Sequence, residues 1–202
     1  MEIKKKKKKE KALELKPGCI VIAKPFWEDD VYKRSVILIV EHNTEHSLGL
    51  IINKESTVQV EEALPDIDCD RRVFFGGTFE RSEISFLHTI KSITEAGPLT
   101  DNLYVGGDTE KLTMMLETKQ IDFNKIRFIA GRVQWQSGML EKEIKEENKW
   151  WVSTITAKEI FEDNAPETLW SFKLLQSGNM YGLFAHVPDP SINERKGEIK
   201  SI

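Results

Sequence analysis

The sequence predicts an α+β domain, and three observations predict it. Two β-branched runs, Val36-Ile37-Leu38-Ile39-Val40 and Leu48-Gly49-Leu50-Ile51-Ile52, are joined by a polar link, Glu41 to Ser47, short enough for an antiparallel hairpin. Both runs are apolar at every position but Gly49, as strands buried on two faces are, which places them at the centre of a sheet. Helical segments with capping residues recur later in the chain, but without the strict strand-helix-strand rhythm of a doubly wound parallel sheet.

Taken in order, Cys19 to Ala23 reads as a buried strand stopped by Pro25, with a polar connection through Trp27-Glu28-Asp29-Asp30 to the hairpin. A short helical stretch, Val58 to Leu64, precedes Pro65. Val73-Phe74-Phe75 then runs into Gly76-Gly77, where the backbone can turn sharply or be approached closely. Ser85 to Ile90 resembles another strand. Leu103-Tyr104-Val105 enters a second diglycine, Gly106-Gly107, after which Asp108 and Thr109 can cap a helix carrying Leu112, Met115 and Leu116 on one side.

Ile126 to Ala130 predicts a strand entering Gly131. Ser137 is placed to cap a helix through about Glu147, with Leu140 and Ile144 facing inward and Glu141, Glu143, Glu146 and Glu147 covering much of the rest. Trp150-Trp151-Val152 begins a further strand. Thr156 with Glu159 three residues on is a capping-box signature for a helix containing Ile160 and Phe161. A last amphipathic helix starts near Pro166 and ends at Gly178.

With 202 residues, 40% hydrophobic and 31% charged, the chain is long enough for one core, so one domain is expected. The charge is uneven: residues 1 to 16 hold eight lysines against three glutamates, leaving the other 186 residues at −9 (the overall −4 less the tail's +5). Residues 1–16 are therefore expected to be a solvated basic tail, 17–193 the domain and 194–202 a second tail. No run approaches the roughly 18 to 20 apolar residues of a membrane span, and no apolar segment follows the lysines as in a signal peptide, so a cytoplasmic protein is expected. Cys19 and Cys69 are too few for a disulfide framework and are expected to be buried thiols; no Cys/His cluster has zinc spacing.

Neither diglycine has the spacing of a phosphate loop or a dinucleotide fingerprint, so no nucleotide site or cofactor is indicated. Glu41 and His42 close one predicted central strand and Asn53 its partner, so polar side chains gather at strand ends, where sites form. Arg34 and Ser35 precede the first strand. Ser35 lies on the order of 20 Å from His42 at about 3.3 Å per residue, too far to be activated by it. His88, beside Phe86 and Leu87, reads as a base or as a hydrogen-bonded structural residue. Trp135, Trp150, Trp151 and Trp170 lie among glutamates rather than lysines and arginines, which favours core packing over base stacking.

Those residues are collinear with a known pattern. The chain resembles the AlgH/YqgE family of bacterial proteins from Pro17 to about Asn193, through Gly18 to Pro25, Arg34-Ser35-Val36, Glu41-His42, Gly49 to Asn53, Phe75-Gly76-Gly77, Leu87-His88, Gly131 with Trp135, Gly138 to Ile144, Trp150, Ile160-Phe161 and Trp170. The ending Leu183-Phe184-Ala185 with Pro188-Asp189-Pro190-Ser191 is similar to the form found in Bacteroidetes. The resemblance implies a mixed, largely antiparallel branched sheet curled into a pseudo-barrel with flanking helices, and a proposed link to transcriptional regulation, but no reaction or cofactor. The family's Gly-Gly-Pro-Val is Gly76-Gly77-Thr78-Phe79 here, its Gly-Tyr-Ala-Gly-Trp is Gly131-Arg132-Val133-Gln134-Trp135, and its Gly-Gln-Leu-Glu is Gly138-Met139-Leu140-Glu141. Any ligand those loops hold in relatives would meet different side chains.

Together, the polar pattern and the resemblance nominate Arg34, Glu41, His42, Asn53, Gly76, Gly77, His88, Gly131, Trp135 and Glu141 as binding candidates, with no catalytic residue and no metal ligand. Three functions follow. The first is a non-enzymatic binding or regulatory protein acting through a protein partner, since the acidic body lacks the basic surface that duplex binding needs. The second is a small-molecule binder or enzyme using Arg34, Glu41, His42, Asn53 and His88. The third is nucleic-acid binding through the lysine tail.

Overall fold

The structure is a computed structural model and describes residues 14–27, 29–161, 165–178 and 180–187. Most of the expected basic tail, the C-terminal tail and the Pro188 to Ser191 motif lie outside the described residues. The elements are β1 (Cys19–Ala23), β2 (Val36–His42), β3 (His46–Ile51), β4 (Glu55–Gln59), α1 (Val60–Ala63), β5 (Arg72–Phe75), β6 (Phe79–His88), β7 (Gly97–Thr100), β8 (Leu103–Val105), α2 (Thr109–Glu117), β9 (Ile126–Gln136), α3 (Met139–Lys145), β10 (Trp150–Thr154), α4 (Ala157–Phe161) and α5 (Leu169–Gln176), with short 3-10 turns at Phe123–Lys125, Pro166–Thr168 and Met180–His186.

The main path of the sheet runs β10, β1, β2, β3, β9, β6, β8, β7, with every neighbour antiparallel. The hairpin of β2 and β3 sits inside it, as the continuous apolar runs predict. Successive residues of β2 divide between two cores. Val36 and Leu38 pack with Ile20, Leu50, Leu169 and Trp170 under α4 and α5, whereas Ile37 and Ile39 pack with Val21, Trp135, Leu140 and Trp150 under α3. A strand whose two faces are both covered has no position for a polar side chain, which is why these runs carry none. A third core lies beneath α1 and α2, where Leu112, Met115 and Leu116 meet Phe86 and Phe128.

The sheet branches at β9. Its second half pairs with β3 from Gly49↔Val133 to His46↔Gln136, while its first half pairs in parallel with β5 at Phe74↔Ile129 and Phe75↔Ala130. Gly76 bridges the two arms, donating its N–H to the Ala130 carbonyl at 2.7 Å and accepting from the Ile51 N–H at 2.9 Å. The sheet curls until Leu99 of β7 lies against Gly18 ahead of β1, where a Cβ would stand 2.2 Å from the Leu99 carbonyl oxygen. The outer strands β7 and β10 are not paired with each other, so the barrel is not closed.

Several boundaries differ from the sequence expectation. Glu55–Gln59, partly assigned above to a helix, is an edge strand paired with β5, and the helix begins only at Val60. Gly131 does not end its strand: β9 continues to Gln136 because φ of +72° at Gly131 lets the backbone pivot there. Ser137 does not cap α3; its hydroxyl donates to the Thr44 carbonyl at 2.7 Å, and Gly138 in the left-handed region begins the helix. Asp108 caps α2 as expected, accepting from the Lys111 N–H at 3.0 Å. The Thr156/Glu159 capping box also forms, with Thr156 N–H to Glu159 at 2.8 Å and Glu159 N–H to Thr156 Oγ1 at 3.2 Å.

Candidate functional site

The nominated residues fall into separate places. Arg34 and Asn53 meet at the open end of the hairpin. Asn53 is buried and uses both ends of its amide: Oδ1 accepts from the Val36 N–H at 2.8 Å and Nδ2 donates to the Arg34 carbonyl at 2.9 Å. It thereby ties the residue after β3 to the entry of β2. Arg34, held at φ +55°, lays its guanidinium over Trp170 at 5.0 Å and donates to the Val187 carbonyl at 2.8 Å. Ser35 is buried beside it.

Glu41, His42 and Glu141 meet at the other end of β2. A bulge at Val40 shifts the register there. His42 Nδ1 is 2.8 Å from Ser47 Oγ, and its Nε2 is 3.7 Å from Glu141; Glu41 accepts from Asn43 at 2.8 Å and lies 3.0 Å from His46 Nε2. Both histidine–carboxylate contacts are partly exposed, so each is worth about 1 kcal/mol or less. Trp135 is buried and donates to Glu143 at 2.9 Å. Glu143 thus faces inward, against the expectation that it covers the outer face of its helix.

Gly76, Gly77 and Gly131 come together where β5 leaves β9. A Cβ on Gly76 would stand 2.2 Å from the Gly131 carbonyl oxygen, one on Gly77 2.2 Å from the Arg132 carbonyl carbon, and one on Gly131 2.5 Å from the Gly77 carbonyl oxygen. These glycines permit a backbone crossing rather than a turn.

His88 stands alone, fully buried. The Ile90 N–H donates to Nδ1 at 3.1 Å, which puts the ring proton on Nε2, donated to the Gly106 carbonyl at 3.0 Å. Tyr104 stacks on one side at 5.6 Å. Burial pulls its pKa below the ordinary histidine value. The sign of the consequence is clear. Above about pH 6.5 the ring is neutral folded or unfolded, and as pH falls below that value only the unfolded chain takes the proton, so stability drops. We expect the urea midpoint to fall less between pH 7 and pH 5 in His88→Asn than in the unsubstituted protein; equal slopes would remove His88 from the pH response.

The feature that none of the nominated residues predicts is a cleft of about 520 Å³ between β4, β5, β9 and α4. Arg127 of β9 forms part of its lining, 7% exposed, donating from Nη1 to the Ile52 carbonyl and from Nη2 to the Ile160 carbonyl at 2.8 Å. Its guanidinium lies 4.3 Å from the Phe74 ring centre and 5.7 Å from that of Phe161. Burial lowers its pKa to about 10, with Glu55 pulling weakly the other way, so it stays charged at neutral pH. Among the described residues no carboxylate lies within ion-pair distance of it. Arg71 and Arg72 stand exposed at the rim, Arg71 bonded to Asn124. Gln59 also lines the cleft, and its Oε1 is buried with no hydrogen-bond donor. The legible signal was an arginine at the second position of Ile126 to Ala130, a run otherwise apolar enough to be read as buried.

Both cysteines are buried, and burial raises each thiol pKa, which leaves them protonated at neutral pH. Among the described residues no three His, Cys, Asp or Glu side chains are grouped to hold a metal, and no helix is long and apolar enough to cross a membrane.

A family profile described as AlgH-like matches residues 20–182. A UPF0301 protein of Chlorobaculum tepidum is 33% identical over 182 residues, covering 89% of this chain and 96% of its own. Another from Bacteroides thetaiotaomicron is 31% identical over 180 residues, covering 87% and 90%. Among solved structures, the AlgH protein of Pseudomonas aeruginosa superposes with a TM-score of 0.66 at 21% identity, covering 89% of this chain and 99% of that one. A Corynebacterium diphtheriae protein gives 0.72 at 21% identity, covering 87% and 94%. At that identity the structures establish the shared fold.

Proposed function

This chain belongs to the AlgH-like family, and on that premise we propose that it is a non-enzymatic binding protein of the cytoplasm, one domain over residues 17–193, that takes a small molecule in the Arg127 cleft and regulates through a protein partner. The observation that carries the reading is Arg127 itself: a buried, charged guanidinium lining a cleft of about 520 Å³, within the range of small-molecule sites. The nominated polar residues support a scaffold role. Asn53 and His88 have donor and acceptor sides engaged by the backbone, which leaves them poorly placed to exchange protons with a substrate.

The full chain, equilibrated with a small-molecule extract of its own cells, washed and denatured, is expected to release one retained compound. Arg127→Lys should lose that compound and His42→Gln should keep it. Nothing retained, or retention unchanged in Arg127→Lys, sinks the reading.

A protein partner is preferred to nucleic acid because the residues after the lysine tail carry −9. In fluorescence anisotropy the full chain is expected to bind duplex and single strands weakly, without sequence preference, and to release them at modest salt. Binding that persists at high salt and prefers one sequence would make direct regulation the better account.

A further inference from the structure

Resting on that reading of the cleft, we infer that its ligand is a small organic anion, a carboxylate or phosphate monoester, that also carries an N–H or O–H donor. Two independent features of the cleft point there. The first is charge. Ionised groups taken out of water are ordinarily paired, because desolvation leaves an unpaired one strongly unfavourable. Arg127 has two carbonyl partners and two ring faces, all neutral, and no carboxylate within ion-pair reach among the described residues. Glu55 acts on it only at longer range; Arg71 and Arg72 add positive charge at the mouth against the carboxylates of Glu55 and Asp70, so the lining keeps a formal charge of +1 (three arginines less two acids). An oxyanion seated on the guanidinium supplies the missing partner through charge-assisted bonds.

The second feature is Gln59. Its Oε1 is an acceptor without a donor, closed off from the cleft in the free protein; a turn of the side chain toward the cleft brings it within reach of a ligand's N–H or O–H, and a buried acceptor left unpaired costs about 1–3 kcal/mol. A ligand that offers only negative oxygens leaves it unpaired; one with an added amino or hydroxyl group satisfies it. Phe74 and Phe161 give the body of such a molecule an apolar wall.

The test uses the full chain and four probes in calorimetric titration: 4-aminobenzoate and benzoate, which differ by one donor, and AMP and adenosine, which differ by the anion. Benzoate and adenosine are expected to bind about tenfold or more weaker than their partners, from the loss of one hydrogen bond or one charged contact respectively. AMP ahead of 4-aminobenzoate assigns the anion to a phosphate, and the reverse order to a carboxylate. Arg72→Gln, a rim variant that leaves the interior intact, should weaken both anions. Gln59→Leu should abolish the advantage of 4-aminobenzoate over benzoate while raising the melting temperature of the free protein, a pairing that a merely structural glutamine would not produce.

Adenosine binding as tightly as AMP, or neither anion binding, overturns the ligand class. So does binding of the anions only by the Glu162→Gln/Asp163→Asn variant, because the chain would then supply its own counter-charge. A neutral or cationic compound released from the cell extract would overturn this inference alone; no compound released would overturn the binding reading with it.

Discussion

Gly131→Ala should lower stability by more than about 4 kcal/mol, whereas Gly138→Ala should cost only about 1–2 kcal/mol. The two glycines are a matched pair. Both have φ of +72°, so a side chain at either meets the same left-handed backbone strain. They differ in surroundings: a Cβ at Gly138 meets nothing within 4 Å, whereas one at Gly131 stands 2.5 Å from the Gly77 carbonyl oxygen and 3.2 Å from that of Phe79. Those atoms belong to the backbone on either side of the crossing, so they cannot rotate away as a flexible side chain would. Relief requires separating β9 from the chain that links β5 to β6, and with it the Gly76 bonds to Ala130 and Ile51 that join the two arms of the sheet. For a chain of this size the expected fall in melting temperature is roughly 8–16 °C for Gly131→Ala and roughly 2–8 °C for Gly138→Ala. Equal effects would mean that the crossing relaxes freely and that the branch does not depend on its glycines.

That crossing marks the limit of what the sequence makes legible. Local signals read correctly where the physics is local. The β2 and β3 runs, the Asp108 cap and the Thr156/Glu159 capping box each depend on residues within a few positions of one another. Gly131 read as the end of a strand because a glycine inside an apolar run usually breaks it; that β9 passes through it depends on Gly76 and Gly77, some 55 residues away. The fold class and its branched sheet were legible, the first from patterning and the second from the family resemblance. The cleft was not, since it is assembled from β4, β5, β9 and α4, and since the end of β4 carries a helical pattern in the sequence. The candidate site residues rest on polarity and on positions shared with the family, yet in the structure Asn53 and His88 use their polarity to satisfy buried backbone groups. Polarity in a sequence does not distinguish a group that serves a ligand from one that serves the backbone.

Glu143 raises the same difficulty from the other side, and it carries the second large prediction. By charge it groups with Glu141, Glu146 and Glu147, but it lies three residues from the buried Leu140 on α3 and its carboxylate turns inward, where Oε2 accepts from Trp135 Nε1 at 2.9 Å and from Trp150 Nε1 at 2.8 Å, and Oε1 from Lys149 at 3.2 Å. Trp135 lies on β9 and Trp150 on β10, which are separated in the sheet by β3, β2 and β1. One carboxylate on α3 therefore fastens the helix to strands at both sides of the core that it covers. Glu143→Leu preserves bulk but leaves two indole N–H groups, on side chains 5% and 1% exposed, without an acceptor. At about 1–3 kcal/mol for each, the expected loss is roughly 2–6 kcal/mol. Glu143→Gln keeps a carbonyl oxygen with two lone pairs for the indoles and gives up the Lys149 ion pair, so it should cost about 1 kcal/mol. Urea denaturation of the three proteins measures both differences, and tryptophan emission reports the indoles directly: a red shift in the folded leucine variant, none in the glutamine variant. If the two variants are equally unstable, the loss lies in the charge rather than in the indole bonds, and the clasp between α3 and the two strands is no more than packing.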